Sequence, residues 1–300
     1  MINFSIVIPT KNRLEDLKIT LSKLEYLIND KNIETIILDD GSNDGTKDYI
    51  LENYKNIRFY RNEKSKGILA VRNKLFSLVN TEYAISIDDD ANFLTGQILE
   101  SIEKYFKENT KTGLLYFRSY WSKEKPSSTE TTLIPHRTQS FGAVAFAIKM
   151  SVWKSIPNLL EWFLFYGEEN FISYELFKVK KEIHYLPTIL VHHRVDIKSR
   201  KKEKDYRLRQ RRSFRSGWYL YLLFYPLKEI PRRLVYTLWQ QIKIKTLKGD
   251  FKATIGVFQA VLDVVYNFPK LVKNANRLTV KEFKEYQKLP STKLYWKPEK

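Results

Sequence analysis
The chain has 300 residues, 43% of them hydrophobic, with 52 Lys and Arg against 34 Asp and Glu and a formal net charge of +18. That is enough for one large domain or two ordinary ones with a sizeable core. The absence of cysteine excludes a disulfide scaffold, thiol chemistry and a thiolate metal site, and no apolar stretch approaches the roughly 20 residues of a membrane span.

Strand-like and helix-like patterns alternate from residue 1 to about 110. Phe4–Ile8 reads as a strand, and Leu14, Leu17, Leu21, Leu24 and Ile28 recur at helical spacing. Then come a strand over Glu34–Leu38, a helix over Thr46–Tyr54, a short strand over Ile57–Tyr60 and a helix over Leu69–Val79. Tyr83–Ile87 is a short apolar run, read as a buried strand, and Gln97–Phe106 a helix. The order implies an α/β fold with a mostly parallel sheet covered by helices on both faces. Ligands of such sheets bind at the carboxyl ends of the strands. Pro9-Thr10, Asp39-Asp40, Arg61-Asn62 and Asp88-Asp89-Asp90 all fall there.

The three adjacent aspartates are the strongest chemical signal. Such carboxylates repel one another and resist desolvation, so a divalent cation is the simplest thing that stabilises them. Asp39-Asp40-Gly41-Ser42 also reads as turn chemistry.

Residues 119–140 are rich in Ser, Thr, Lys, Glu and Pro and read as a loop. A strand is expected over Ala143–Ile148, helices around Met150–Ile156 and Glu168–Lys178, and two short strands over Ile183–Leu186 and Thr188–Val191. The chain from Lys198 to Arg215 reads as a basic helix. Two amphipathic segments follow: Phe214–Gln240, broken by Pro226 and Pro231, and Phe251–Phe268, whose Phe251, Ile255, Phe258, Leu262 and Val265 form one stripe. Residues 198–300 hold 26 Lys and Arg against 8 Asp and Glu, so the whole positive excess sits in the last third. The expected division is a catalytic domain over 1–197 and a basic, aromatic-rich helical extension over 198–300. That extension suits an anionic membrane surface, a packing cap or, less well, nucleic acid. The first residues run straight into a strand without a basic, then apolar, leader, so no export signal is expected.

Together Ile6–Arg13, Asp39–Thr46, Gly67 through Ala70–Asn73, Asp88–Asp90, Tyr166–Glu169 and Leu190–His193 resemble the family 2 glycosyltransferases. The resemblance covers about residues 3–195. It implies the GT-A fold and inverting transfer of a sugar from a UDP- or dTDP-linked donor to a hydroxyl of a glycan or lipid-linked acceptor. It also implies a divalent cation, Mg²⁺ or Mn²⁺, held by Asp89 and Asp90 with His193 as a further ligand. Pro9, Thr10, Arg13, Asp39, Asp40, Arg72, Asp88 and Asp89 would line the donor site, with Asp40 on the nucleotide base. Arg72 would approach the phosphates or order the metal loop. Glu169 would be the general base, and Glu168 would orient the acceptor. Phe141-Gly142-Ala143 resembles a turn on the acceptor side. Lys11 stands where many relatives carry an aromatic residue, and Phe171 and Glu175 where they carry an acid and an arginine. A role in bacterial surface polysaccharide synthesis, at the cytoplasmic face of the cell membrane, is the expected setting. Two rival readings remain: a metal-dependent nucleotidyltransferase, and a non-enzymatic polyanion-binding protein.

Overall fold
The computed structural model describes residues 3–196 and 205–298. The expected boundary at 197–198 and the first residues of the basic run lie outside them.

Strand β1 (Phe4–Thr10), helix α1 (Leu14–Ile28), β2 (Ile33–Asp39), α2 (Thr46–Asn53), β3 (Ile57–Arg61), α3 (Ile68–Ser77) and β4 (Tyr83–Ile87) alternate as the sequence predicts. Next come β5 (Ala91–Phe93), α4 (Ile98–Glu108), β6 (Thr112–Trp121), β7 (His136–Thr138), β8 (Ala145–Lys149), α5 (Met150–Trp153), α6 (Glu168–Lys178) and β9 (Glu182–His193). The described chain then turns helical: α7 (Tyr206–Phe224), α8 (Ile230–Ile244), α9 (Phe251–Tyr266), α10 (Phe268–Lys273) and α11 (Val280–Gln287).

The sheet runs β3-β2-β1-β4-β8-β6-β9-β5, with β7 added on β9. β3, β2, β1 and β4 are parallel neighbours. β8 lies antiparallel between β4 and β6, and β6 pairs parallel with β9. This is the α/β, GT-A-type architecture expected. All seven residues of β1 are buried, because helices cover both faces of the sheet. Phe4, Ile6 and Ile8 join one core cluster with Leu17 and Leu21 of α1 and Ile102 of α4. Phe76 of α3 stacks on Trp153 of α5 at 4.2 Å.

Two expectations change. The segment read as a loop over 119–140 begins inside β6, which runs to Trp121, and contains β7. The two short strands after residue 182 are one strand, β9. Pairing with β6 jumps from Phe117–Leu186 to Arg118–Leu190, so Pro187 sits in a bulge where its missing N–H costs no ladder bond.

The chain divides into two compact units: Met1–Leu164, Glu175–Ile197 and Pro290–Lys300 in one, Phe165–Tyr174 and Lys198–Leu289 in the other. In the first, residues near the C-terminus return to the sheet. Trp296 N–H donates to the Ser119 carbonyl at 2.7 Å, and its ring lies 4.3 Å from the Arg118 guanidinium. In the second, α7 stops before Pro226 and α8 carries Pro231 in its first turn, where the lost N–H needs no partner. Arg211 of α7 forms a two-point pair with Asp263 of α9 at 2.7 and 2.5 Å. No helix among the described residues is long and apolar enough to cross a membrane.

Candidate metal and nucleotide site
β4 ends at Ile87, and a turn follows in which Ala91 N–H donates to the Asp88 carbonyl at 3.1 Å. β5 then pairs antiparallel with β9, Ala91 opposite His193. That register brings the carboxyl end of β4 to the end of β9. Asp88, Asp90 and His193 each present a ligand atom, all within 4.8 Å of one another. His193 Nε2 lies 3.1 Å from Asp90 Oδ1. Apart from that contact Asp90 Oδ1 is buried without another partner, and His193 Nδ1, on the other side of the ring, is buried with no hydrogen-bond partner. Buried polar atoms are rarely left so. Two carboxylates and an imidazole suit a Mg²⁺- or Mn²⁺-class ion, so the residues present fit the implied metal.

Asp89, expected beside Asp90 as a ligand, stands outside this cluster. Its Oδ2 accepts from Thr10 Oγ1 at 2.8 Å and its Oδ1 from Arg13 Nη1 at 3.0 Å. Arg13 Nη1 also donates to Asp90 Oδ2 at 2.6 Å. Thr10, Arg13, Asp89 and Asp90 are therefore one network. Burial pushes the Asp89 carboxyl up to about 7; the Arg13 charge opposes this and the Asp90 charge adds to it. Burial pushes on Asp90 in the same sense, but His193 and then Arg13 outweigh it and hold Asp90 well below the usual carboxylate range. The backbone here is pinned as well. Thr20 Oγ1 of α1 donates to the Asp89 carbonyl at 2.6 Å, and Arg194 N–H to that of Asp90 at 2.9 Å.

Arg72 was expected to approach the phosphates or to order the metal loop. It is buried in α3 and donates to Ser86 Oγ at 2.7 Å, to Asp88 Oδ1 at 3.0 Å and to the Ala143 carbonyl at 3.3 Å. It ties the 86–88 segment to residue 143. Its neighbour Asn73 holds the 159–161 segment, donating to the Leu159 carbonyl and accepting from Leu159 N–H, both at 2.9 Å. At the start of the same helix, Gly67 has φ +89°, and a Cβ there would stand 2.8 Å from the Leu164 carbonyl oxygen. Only glycine fits.

The second acidic pair is fully engaged. Asp40 Oδ1 accepts from Asn62 Nδ2 and Lys66 N–H, both at 2.8 Å. Its Oδ2 accepts from Ser65 Oγ at 2.6 Å and Gly67 N–H at 2.9 Å. A carboxylate offers about four lone-pair positions, and here all four are taken. Burial alone would raise the Asp40 pKa, but the bonds from Lys66, Ser65, Asn62 and Gly67 lower it. Asp39 accepts from Ser42 N–H and Oγ and, at 3.0 Å, from Arg61 Nε. Thr10, Asp39 and Arg61 form one row, because β1, β2 and β3 end in register. Pro9 precedes Thr10 in that row.

His192 and His193 alternate along β9 and so point to opposite faces. His192 is buried near the Ser122 carbonyl, Nε2 to oxygen 2.9 Å, and burial lowers its pKa. Trp121, which sequence reasoning did not single out, packs edge-on against the His193 ring at 4.6 Å. No local signal marked it; the contact follows from β6–β9 pairing, Trp121 opposite His193.

Glu168 and Glu169 open α6. Just before them Leu164, Tyr166 and Gly167 have φ of +65°, +69° and +93°. Left-handed backbone at two non-glycine residues is costly and concentrates at functional sites. Glu168 is buried and its Oε2 has no hydrogen-bond partner. Glu169 is half-buried, and its carbonyl accepts from Ser173 Oγ at 2.5 Å.

By structure the chain resembles the crystal structure of GalNAc-T7 with UDP, GalNAc and Mn²⁺: TM-score 0.59, 14% identity, over 76% of this chain and 49% of that one. It resembles Staphylococcus aureus TarS at TM-score 0.51 and 15% identity, over 70% of this chain and 38% of that one. TarS 1-349 in complex with UDP-GlcNAc gives TM-score 0.54 and 14% identity, over 87% and 80%. The chain thus spans about half the length of the GalNAc-T7 chain or less of full TarS, and at these identities the likeness is one of fold. No curated protein matches by sequence. The sequence model described as Glycosyl transferase family 2 matches residues 5–183, a stretch running from β1 into β9 and holding Asp39, Asp40, Asp88–Asp90, Glu168 and Glu169, and on that match the chain belongs to glycosyltransferase family 2.

Proposed function
We propose that this protein transfers a sugar, with inversion, from a nucleotide-sugar to a hydroxyl of a glycan or lipid-linked acceptor, and that the reaction depends on a divalent cation. The observation that carries the reading is the convergence of Asp88, Asp90 and His193, whose ligand atoms all lie within 4.8 Å of one another. These three residues would hold the ion, which, when bound, supplies Lewis-acid neutralisation of the departing diphosphate. UDP is the favoured nucleotide, since the GalNAc-T7 and TarS structures carry UDP or UDP-GlcNAc; dTDP is the alternative.

The chain's own residues divide the remaining work. Arg13 and Thr10 hold Asp89 and so set the loop that carries the ligands. Arg72 fixes Asp88. Asp40 fixes the 62–67 segment, and Asp39 pairs with Arg61 at the carboxyl ends of β2 and β3, beside Thr10. Glu169 removes the proton from the acceptor hydroxyl, with Glu168 beside it orienting the acceptor. The basic helical region serves an anionic membrane surface, the setting expected for a lipid-linked acceptor in bacterial surface polysaccharide synthesis at the cytoplasmic face.

Calorimetry with UDP tests the donor reading. Addition of Mn²⁺ should strengthen UDP binding, and a panel of nucleotide-sugars should show metal-dependent hydrolysis of one member, releasing a nucleoside diphosphate. Release of pyrophosphate instead would favour a nucleotidyltransferase.

A further inference from the structure
Helix α9 is apolar on both sides. Its sixteen residues contain two charges, Lys252 and Asp263. Ala253, Gly256, Val257, Ala260 and Val264 are buried. A Cβ on Gly256 would stand 2.9 Å from the Arg207 carbonyl oxygen and 3.2 Å from Arg211 N, so the backbones of α7 and α9 nearly touch. The small residues therefore take the inner face, and the large ones face outward. Phe251 is 75% exposed, Ile255 47%, Phe258 64%, Leu262 52% and Val265 67%. They recur at three- and four-residue spacing and make one continuous stripe. Tyr266 and Phe268 extend it, also exposed. An apolar strip of this length is unusual on a soluble surface and marks an interaction face.

The charges around the stripe say what kind of surface covers it. Lys248 and Lys252 are exposed at its start, and Lys270 and Lys273 beyond its end. Asp263 is neutralised by Arg211 at 2.5 Å and approached by Arg215 at 3.5 Å. Asp250 caps α9 by accepting from Ala253 N–H and bonds Tyr206. The stripe thus lies between cations, with its two neighbouring carboxylates engaged. A second copy would bring the same cations against these. A sixteen-residue helix is too short to span a bilayer, but an apolar stripe with lysines at its borders suits the boundary between head groups and acyl chains.

We propose that the outer face of α9, from Phe251 to Val265, inserts edge-on into an anionic lipid surface, anchoring the protein by apolar contact after electrostatic attraction. This deepens the membrane part of the reading above and requires nothing of the chemistry at Asp90.

The test is co-sedimentation of the full chain with phosphatidylglycerol–phosphatidylcholine vesicles and with phosphatidylcholine alone, at low and high salt. The wild type should bind the anionic vesicles and keep a bound fraction at high salt, because lipid-buried side chains are not screened. The Phe258→Glu/Leu262→Glu variant should lose that salt-resistant fraction by at least about 10-fold. Phe251→Ser/Val265→Ser, which adds no charge, should lower it too. UDP binding with Mn²⁺ should be the same in all three proteins, which separates loss of anchoring from loss of fold. Equal vesicle binding by wild type and both variants would overturn the proposal. So would a wild-type dimer that both variants dissolve, with no vesicle binding, since a second copy would then cover the face. Vesicle binding by a wild type that fails to bind UDP would leave the proposal standing and sink the sugar-transfer reading.

Discussion

Two acidic clusters stand at strand ends of one sheet, and they look alike as text: Asp39-Asp40 after β2 and Asp88-Asp89-Asp90 after β4. In the structure they differ in kind. Asp40 accepts four hydrogen bonds, two of them from the backbone of Lys66 and Gly67, and has no lone pair left to offer. Asp90 faces His193 instead, its Oδ1 3.1 Å from Nε2, in the cluster of ligand atoms that Asp88 completes. A carboxylate with all four acceptor positions filled is architecture, whereas one that converges with a second carboxylate and an imidazole has the donor set of a metal site. Asp89, inside the second cluster, belongs with the first in this respect, since Thr10 and Arg13 occupy its oxygens.

The largest effect should come from a third acidic pair judged by the same rule. If Glu169 is the base, Glu169→Gln keeps its size, removes its basicity and lowers turnover by roughly 10²–10⁴-fold while nucleotide binding survives. Glu168, however, holds the buried unpartnered oxygen. Turnover of Glu168→Gln beside Glu169→Gln ranks the two, and near-normal turnover in Glu169→Gln would move the base to Glu168.

Next is the Asp88–Asp90–His193 cluster. Asp90→Asn should weaken Mn²⁺-dependent UDP affinity by about 10–100-fold, read by calorimetry, with the metal-independent part unchanged. Asp89→Asn acts only through the Arg13 and Thr10 contacts and should cost less. An Asp89→Asn effect equal to that of Asp90→Asn would erase the distinction drawn between them.

Asp40→Asn should do the reverse. An amide cannot accept from all four donors, and its NH₂ faces a donor N–H or hydroxyl. Stability should fall by about 1–3 kcal/mol in denaturant unfolding, with Mn²⁺-dependent UDP binding retained in the folded protein. The smallest effect is on pH. The folded-state pKa of Asp40 lies below its unfolded value, so its contribution is complete above about pH 4 and is lost as pH falls through the folded pKa. The stability gap between wild type and Asp40→Asn should therefore narrow on acidification. A gap independent of pH would mean that the Asp40 bonds do not favour its charged form.

Much of this was legible in the sequence because it depends on local pattern. Short apolar runs ending in acids marked β2 and β4, and helical spacing of leucines marked α1, since both periods follow from backbone geometry. Gly67, Arg72 and the Glu168-Glu169 pair were picked out by motif. β6 was not, because its Ser119–Trp121 end shares the polar composition of the loop that follows and its partner β9 is far along the chain. The choice of Asp88 over Asp89 in the cluster was equally invisible. It depends on which way three successive side chains turn once β5 pairs with β9.

The last third shows the division most plainly. Sequence alone determined its basic charge and the recurrence of Phe251, Ile255, Phe258, Leu262 and Val265, because each follows from composition or from a period of 3.6 residues. It did not determine whether that stripe faces inward or outward, since α9 is apolar on both faces. Only tertiary packing decided it: the backbone of α7 comes so close at Gly256 that only the small-residue face fits against it, which leaves the large side chains outside.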